Sequence, residues 1–288
     1  MEKQRFSSIK SEIQKRGLLW LPFLFLLIIV IMFEILPAVF IFINSFKSDT
    51  GFTLANYVTA LTKRYYLLSL RNSIIVSIVS ALIGLLIGTI STLCLKALKE
   101  ENAEKNITII NITTNFAGVP LAFAFIILLG TSGLVTAFLS KKLGIDIYSA
   151  GFNLFSWTGI TLVYIYFQVP LAILLMYPAV YGIKNDIQEA ALVLGASKLK
   201  FWFKIGLPVL LPSLIGSFSI LFANALGAYA TAYALVNSNN NLLAITIAGL
   251  VSGDITMNPS LASALAVIMG VVLIVSIFIN NRFKKNNS

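Results

Sequence analysis

The side chains that carry most enzyme chemistry are scarce in this sequence. It contains no histidine and a single cysteine, Cys94, so zinc–histidine sites, serine–histidine pairs and an internal disulfide are excluded. A Gly-x4-Gly-Lys-Ser/Thr loop, which would cradle the phosphates of ATP, is absent as well. We therefore expect no catalytic residue, no metal site and no cofactor in this chain.

The most distinctive polar stretch is Glu189–Pro208, which interrupts an otherwise apolar chain. Its first half predicts a short amphipathic helix, because four apolar residues recur at helical spacing: Ile187, Ala190, Ala191 and Leu194. Gly195 interrupts this pattern, as a glycine at a sharp turn between two helices would. A second short helix is predicted to follow, with Pro208 ending the unit and Pro212 opening the next apolar run. Such a loop is typical of a docking element for a soluble partner.

Fixed positions within this stretch carry a family resemblance. They resemble the signature loop of ATP-binding-cassette (ABC) importer permeases. The matching positions are Glu189-Ala190-Ala191, then Gly195 after three further residues, Ile205 after nine more, and Leu207-Pro208 after one more. The resemblance implies that residues 184–208, here called the coupling loop, form cytoplasmic coupling helices that sit in a groove of an ATPase subunit. It assigns these residues to ATPase coupling: Glu189, Ala190, Ala191, Gly195, Lys198, Ile205, Leu207 and Pro208.

The same resemblance implies an architecture and a set of partners. It predicts an all-α, polytopic type I importer fold with six transmembrane helices and the coupling loop between helices four and five. In that family two permease chains enclose one solute path, and an ABC ATPase dimer below them binds ATP-Mg. An extracytoplasmic solute-binding protein delivers the solute. The chain would then be a non-catalytic permease subunit, whose second permease is either a copy or a different protein.

Three further segments resemble one branch of this family. They are Asp186-Ile187-Gln188, Leu194-Gly195-Ala196-Ser197 and Asn224-Ala225-Leu226-Gly227-Ala228-Tyr229. The branch serves polyamines, ferric iron, thiamine, sulfate or phosphonates, and a polyamine-like solute is favoured. An anionic solute would require an inward Arg or Lys, and only Arg71 lies near a predicted span.

Composition places the chain in a membrane independently of this resemblance. Hydrophobic residues make up 58% of the sequence and charged residues 11%, whereas soluble domains carry about a quarter charged residues. The net charge of +10 does not indicate nucleic-acid binding, because the basic residues cluster at the ends of apolar runs. Contacts with the headgroups of the lipid bilayer explain that distribution.

Six apolar runs predict six transmembrane spans, at about 18–43, 71–95, 107–130, 154–181, 212–236 and 259–279. The membrane domain is therefore predicted over 18–281, between tails at 1–17 and 282–288. Fifteen of the 21 Lys and Arg residues lie in the two tails, the loop between spans two and three, and the coupling loop. The positive-inside rule then predicts a multi-pass protein of the cell (inner) membrane with both termini cytoplasmic.

Polar residues inside the predicted spans are candidates for the solute path. Glu34 is an intramembrane carboxylate, Tyr164 and Gln168 share one helical face, and three further polar residues recur every seven positions: Ser217, Asn224 and Thr231. An unpaired glutamine in lipid would cost several kcal/mol, so the face with Gln168 is expected to look inward. The alternative is that these groups hydrogen-bond between helices, and that Glu34 is wet or neutral near the outer end of its span.

An ion-coupled secondary transporter is the alternative function. It would require buried carboxylates or broken helices near the bilayer midplane. Glu34 is the only intramembrane acid, so it would have to serve as the ion site.

Overall fold

The computed structural model describes residues 22–48, 51–98, 100–236, 241–253 and 257–286, so the predicted tail at 1–17 lies outside it. The described chain is a helical bundle. Six segments are helical, long and apolar enough to cross a membrane, which confirms the predicted number: Pro22–Asn44, Arg64–Lys96, Gly118–Leu143, Trp157–Gly182, Trp202–Leu226 and Pro259–Asn280.

The first half of the chain contains three spans and a small hairpin. In chain order its elements are α1 (Pro22–Asn44), β1 (Lys47–Ser48), β2 (Gly51–Phe52), α2 (Ala55–Thr62), α3 (Arg64–Lys96), α4 (Glu100–Thr114), α5 (Gly118–Leu129) and α6 (Leu134–Leu143). The two strands pair antiparallel, with Lys47 opposite Phe52. A π-helical turn at Ile31–Ile35 interrupts α1 just before Pro37, whose ring nitrogen carries no hydrogen to donate.

The second half contains the coupling loop between two spans. Its elements are α7 (Trp157–Gly182), α8 (Asn185–Val193), α9 (Lys198–Phe201), α10 (Leu207–Leu226), α11 (Tyr229–Val236), α12 (Leu243–Ser252) and α13 (Pro259–Asn286). The last helix therefore continues past residue 281, the predicted end of the membrane domain.

Span three differs from its predicted position at 107–130. The helix there is broken between α4 and α5, and the apolar segment of sufficient length is Gly118–Leu143, itself interrupted after Leu129. Two local features explain the break. The Asn115 amide donates to the Asn111 carbonyl (3.0 Å), which competes with the backbone, and Gly118 adopts a φ of +71°. Pro120 then lies in the first turn of α5, where a missing N–H costs little.

Span five also differs from the predicted 212–236. It begins at Trp202 and ends at Leu226, and α11 is a separate short helix after a turn at Gly227 and Ala228. The Gly227 N–H closes the last turn of α10 on the Ala223 carbonyl (3.1 Å), and the Tyr229 N–H folds back to the Gly227 carbonyl (2.8 Å). The chain thus leaves the helical path ten residues before the predicted end.

The centre of the bundle is the contact between α3 and α7. A Cβ placed on Gly84 would lie 2.6 Å from the Cβ of Gln168, and one on Gly88 would lie 2.5 Å from the Cβ of Ala172. These two glycines, one helical turn apart, therefore let the helices approach more closely than any side chain would allow. Because α10 packs against both α3 and α7, this contact also positions the helix that follows the coupling loop.

Candidate functional site

The coupling loop turns sharply at Gly195. Helix α8 ends in a Schellman motif, in which the Gly195 N–H donates to the Leu192 carbonyl (3.0 Å) and the Ala196 N–H donates to the Ala191 carbonyl (3.0 Å). Gly195 has a φ of +81°, a left-handed conformation that glycine adopts without strain. The turn predicted at Gly195 is thus confirmed, and it satisfies two carbonyls at the end of the helix.

The segment after the turn runs without a break into span five. The Ser197 hydroxyl caps α9 by accepting from the Lys200 N–H (3.2 Å), and a π-helical turn at Trp202–Gly206 joins α9 to α10. The prediction that Pro208 ends the unit and Pro212 opens the next helix was wrong. Pro208 lies in the first turn of α10, and the wide turn before it accommodates the missing N–H, so the helix continues.

Two apolar side chains anchor the coupling loop to the bundle. Ala191 is 8% exposed and Phe201 1% exposed, and both belong to a buried cluster formed by α3, α7 and α10, which includes Val180 and Ile183 at the end of α7. The rest of the predicted apolar face is not buried, since Ile187, Ala190 and Leu194 are all exposed. Of the four residues on that face, only Ala191 reaches the buried cluster.

The tip of the loop presents apolar side chains to the outside. Val193 and Leu194 are each 87% exposed, immediately before the Gly195 turn. The helical spacing of the sequence places Leu194 on the predicted apolar face, whereas nothing in the sequence singles out Val193. The remaining predicted coupling residues are also exposed on the loop or at the start of α10: Glu189, Ala190, Lys198, Ile205, Leu207 and Pro208.

Lys96, on a helix distant in sequence, caps the C-terminal end of α7, the helix that precedes the coupling loop. The Lys96 ammonium, at the end of α3, donates to the carbonyls of Val180 (3.2 Å) and Ile183 at the end of α7. Helix carbonyls at a C-terminus lack intrahelical partners and carry partial negative charge, so a cation stabilises them. The base of the coupling loop is therefore tied to two spans, α3 and α7.

Three of the path candidates form hydrogen bonds that join α7 to α10 and to the turn after it. Gln168, which is 0% exposed, donates to the Leu221 carbonyl (2.6 Å) and accepts from the Asn224 amide (3.2 Å). The Tyr164 hydroxyl donates to the Ala228 carbonyl (2.8 Å) in the turn after α10. The face with Tyr164 and Gln168 therefore looks inward as predicted, and it holds the end of span five.

The other path candidates lie elsewhere. Ser217 is buried against α7, with its hydroxyl 3.5 Å from the sulfur of Met176. Thr231 is buried in α11, so the polar line predicted along a single helix stops at Asn224. Glu34 is exposed in the π-helical turn of α1, a span that packs on α13 rather than on the residues around Gln168.

Comparison with known families decides the identity of this architecture. A family described as "Binding-protein-dependent transport system inner membrane component" matches residues 106–287. The chain belongs to this family. The matched region begins in α4 and includes the coupling loop, the hydrogen bonds between α7 and α10, and the last span.

Curated relatives of this permease are named for different solutes. The chain is 28% identical to the ferric transport system permease protein FbpB of Actinobacillus pleuropneumoniae, over 74% of the chain and 31% of the relative. It is 31% identical to the spermidine/putrescine transport system permease protein PotC homolog of Mycoplasma genitalium, over 56% of the chain and 51% of the relative. The permease thus spans about half or less of these relatives.

Solved structures share the fold of this permease. The structure of a bacterial ABC transporter involved in the import of the acidic polysaccharide alginate matches with a TM-score of 0.74 and 18% identity, covering 97% of this chain and 99% of that one. A bacterial alginate ABC transporter in complex with an alginate pentasaccharide-bound periplasmic protein matches with a TM-score of 0.73 and 19% identity, over 96% of each chain. Family and fold together confirm the resemblance to ABC importer permeases and favour it over an ion-coupled transporter.

Proposed function

We propose that this permease forms half of a solute path across the inner membrane and couples that path to ATP hydrolysis by a separate ATPase subunit, which binds ATP-Mg. The observation that carries the coupling role is the tip of the coupling loop. Val193 and Leu194 are held outward by the Gly195 turn, while Ala191 and Phe201 anchor the loop in the bundle. A force on this tip would therefore be transmitted to α7 and, through Lys96, to α3.

The exposed tip has the chemistry of a docking surface. Fully burying a Val or Leu side chain contributes about 1.5–3 kcal/mol, so a groove that covers both residues would gain several kcal/mol. Glu189 and Lys198 are exposed on the same loop and supply charges of both signs for orienting a partner. This combination of an apolar centre and a charged rim is typical of protein interfaces.

Replacing Leu194 by aspartate is expected to weaken retention of the ATPase at least tenfold. The substitution places a carboxylate at the centre of the docking surface, and each tenfold loss corresponds to about 1.4 kcal/mol. The measurement is the amount of ATPase that co-purifies with the permease in mild detergent. Leu143→Asp is the matched control, since Leu143 is exposed on α6 outside the coupling loop. ATPase retention at the original level in Leu194→Asp would contradict the coupling role.

Coupling requires the loop to face the cytoplasm, where ATP is available. We propose this orientation, with both termini cytoplasmic, from the excess of Lys and Arg at that end of the spans. A cysteine at Ser197, in a Cys94→Ser background, is expected to react with a membrane-impermeant maleimide only after the membrane has been opened. Labelling in intact cells would show that the coupling loop faces the outside and would contradict the proposed orientation.

A second permease is proposed because span one, although it packs on α13, is left unburied by the described chain. Pro22–Asn44 has a mean hydropathy of 3.0 over its most apolar 18 residues, and none of these residues is buried. Glu34 lies near the middle of the helix. A carboxylate facing hydrocarbon is costly, so Glu34 is better satisfied at an interface with another chain. Purification in mild detergent is expected to recover an ATPase, a second six-span chain and an extracytoplasmic solute-binding protein. Recovery of the permease without an ATPase in several detergents would contradict the proposal.

Exposure divides the path candidates into two groups. A residue that lines a path between two chains must be accessible on the surface of each, and Glu34 and Asn224 are exposed. Tyr164, Gln168 and Ser217, by contrast, are buried within this chain. Glu34→Gln and Asn224→Leu are therefore expected to change the solute concentration for half-maximal uptake severalfold with unchanged protein level, whereas Gln168→Leu lowers the amount of folded permease. The assignment would be wrong if Gln168→Leu changed the solute concentration for half-maximal uptake while Glu34→Gln and Asn224→Leu did not.

The solute is proposed to be polyamine-like. Two relatives are named for ferric ion and for spermidine or putrescine, so the relatives do not decide between these classes. In support, Glu34 supplies an exposed carboxylate, and Tyr229 and Tyr233 form an exposed stacked pair with ring centroids 5.3 Å apart. Aromatic faces and carboxylates recognise organic cations. Titration of the co-purified solute-binding protein with putrescine, spermidine, ferric ion and sulfate tests this, and selective binding of either inorganic ion would contradict it.

A further inference from the structure

A groove lies between α3 and α7 at the end of the bundle opposite the coupling loop. Its volume is about 640 Å³. One end of its lining is polar, with the Arg71 guanidinium, the Trp157 indole and the Thr158 hydroxyl. The rest of the lining is mainly aliphatic and includes Ile75, Val79 and Leu162.

The polar and apolar parts of this groove differ in depth. Helices α3 and α7 run side by side in the same direction, as the pairs Gly84–Gln168, Gly88–Ala172 and Lys96–Val180 show. By the same register Arg71 lies level with the start of α7 at Trp157. Val79 is eight residues further along α3, which is about 12 Å deeper at 1.5 Å per residue. The groove is therefore polar at the end near Arg71 and, apart from Thr161, apolar further along α3.

Arg71 is an exposed cation without a counter-charge in the groove. None of the side chains that line the groove is acidic, and the part of the chain that the structure describes contains no ion pair to Arg71. A guanidinium presents N–H groups in a planar fork that matches two oxygens of a phosphate. Trp157 beside it is typical of the level of the lipid headgroups.

We propose that this groove binds an anionic glycerophospholipid. The phosphate would pair with Arg71 and accept from Thr158, and one acyl chain would lie along Ile75, Val79 and Leu162. A small free anion would use only the polar end, whereas a lipid matches both the charge and the change of polarity with depth. The proposal requires that the chain be embedded in a membrane, but not that it couple to an ATPase, so the two can fail separately.

The test uses the fluorescence of Trp157 in the full-length chain. The sequence has three tryptophans, so Trp20→Phe and Trp202→Phe leave Trp157 as the only emitter. The chain is reconstituted in phosphatidylcholine vesicles with either brominated phosphatidylglycerol or brominated phosphatidylcholine, whose bromines quench a nearby indole. We expect about fivefold preference for the anionic lipid, as one cation near the headgroups contributes about that factor.

Substitutions at Arg71 assign the preference to the groove. Arg71→Gln is expected to remove the preference for the anionic lipid. Arg71→Lys is expected to retain most of that preference, because the positive charge remains. Lys142→Gln, which changes an exposed cation of α6 outside the groove lining, is expected to leave it unchanged. Ile75→Trp fills the apolar part of the groove. In a chain whose three native tryptophans are replaced by phenylalanine, residue 75 is the only emitter, and its emission is expected to show reduced access for either brominated lipid.

Three results would overturn the proposal. Equal quenching by the two lipids would show that Arg71 does not select a charge. Relief of quenching by millimolar sulfate or inorganic phosphate at constant ionic strength would assign the groove to a free oxyanion. Quenching that vanishes when the second permease is co-reconstituted would assign the groove to a contact between chains.

Discussion

Replacing Gly195 by leucine is expected to reduce solute uptake at least tenfold while the amount of permease in the membrane stays within about twofold. The left-handed backbone at this position costs a non-glycine residue about 1–2 kcal/mol, which a six-span protein tolerates. A Cβ on Gly195 meets no atom of the described chain within 4 Å, so the new side chain fits within the permease itself. It projects instead beside Leu194, into the surface proposed to contact the ATPase.

Gly144 provides a matched control for this prediction. It ends α6 with a φ of +67° and has likewise no described atom within 4 Å of an added Cβ. Gly144→Leu therefore carries the same backbone strain without touching the coupling loop, and near-normal uptake is expected. The measurements are solute uptake and solute-stimulated ATPase activity in vesicles that contain the whole transporter. Normal uptake in Gly195→Leu, or an equal loss in Gly144→Leu, would refute the role assigned to the turn.

Replacing Gly88 by alanine is expected to lower the free energy of unfolding by about 1–3 kcal/mol, the usual cost of overpacking a well-packed contact. The added Cβ would lie 2.5 Å from the Cβ of Ala172 and 3.1 Å from the backbone nitrogen of Ile173. Helices α3 and α7 would therefore have to separate. Because α10 packs on both, the displacement would spread to the helix that carries the coupling motion.

A double-mutant cycle separates this clash from other effects. Ala172→Gly alone removes a methyl group and costs about 1 kcal/mol of helix propensity. Combined with Gly88→Ala it makes room for the new methyl group, so the double mutant is expected to be more stable than the sum of the single changes by about 1 kcal/mol. Gly270→Ala in α13 is the control, because no described atom lies within 4 Å of its added Cβ.

Stability is measured as the loss of the folded chain with increasing denaturant or temperature in one detergent. An unchanged midpoint for Gly88→Ala, or additive effects in the double mutant, would show that α3 and α7 do not depend on this close approach. Gly270→Ala is expected to be neutral or slightly stabilising, since alanine is the better helix former.

The sequence alone determined the features that depend on local composition and period. Six spans follow from apolar runs long enough to cross a bilayer, because unpaired backbone groups in lipid force each run into a helix. The turn at Gly195 follows from the one residue type that adopts a left-handed conformation without strain. The inward orientation of Tyr164 and Gln168 follows from the cost of leaving an amide unpaired in hydrocarbon.

The tertiary structure alone decided which faces and breaks are used. Leu194 is exposed although it shares the predicted apolar face with Ala191, because only Ala191 reaches the buried cluster below the loop. Span five ends at Leu226, where Tyr164 on another helix binds the Ala228 carbonyl of the following turn. The Lys96 cap on α7 and the groove beside Arg71 likewise join residues more than 80 positions apart. These features depend on how helices pack, and the period of a single helix carries no information about its neighbour.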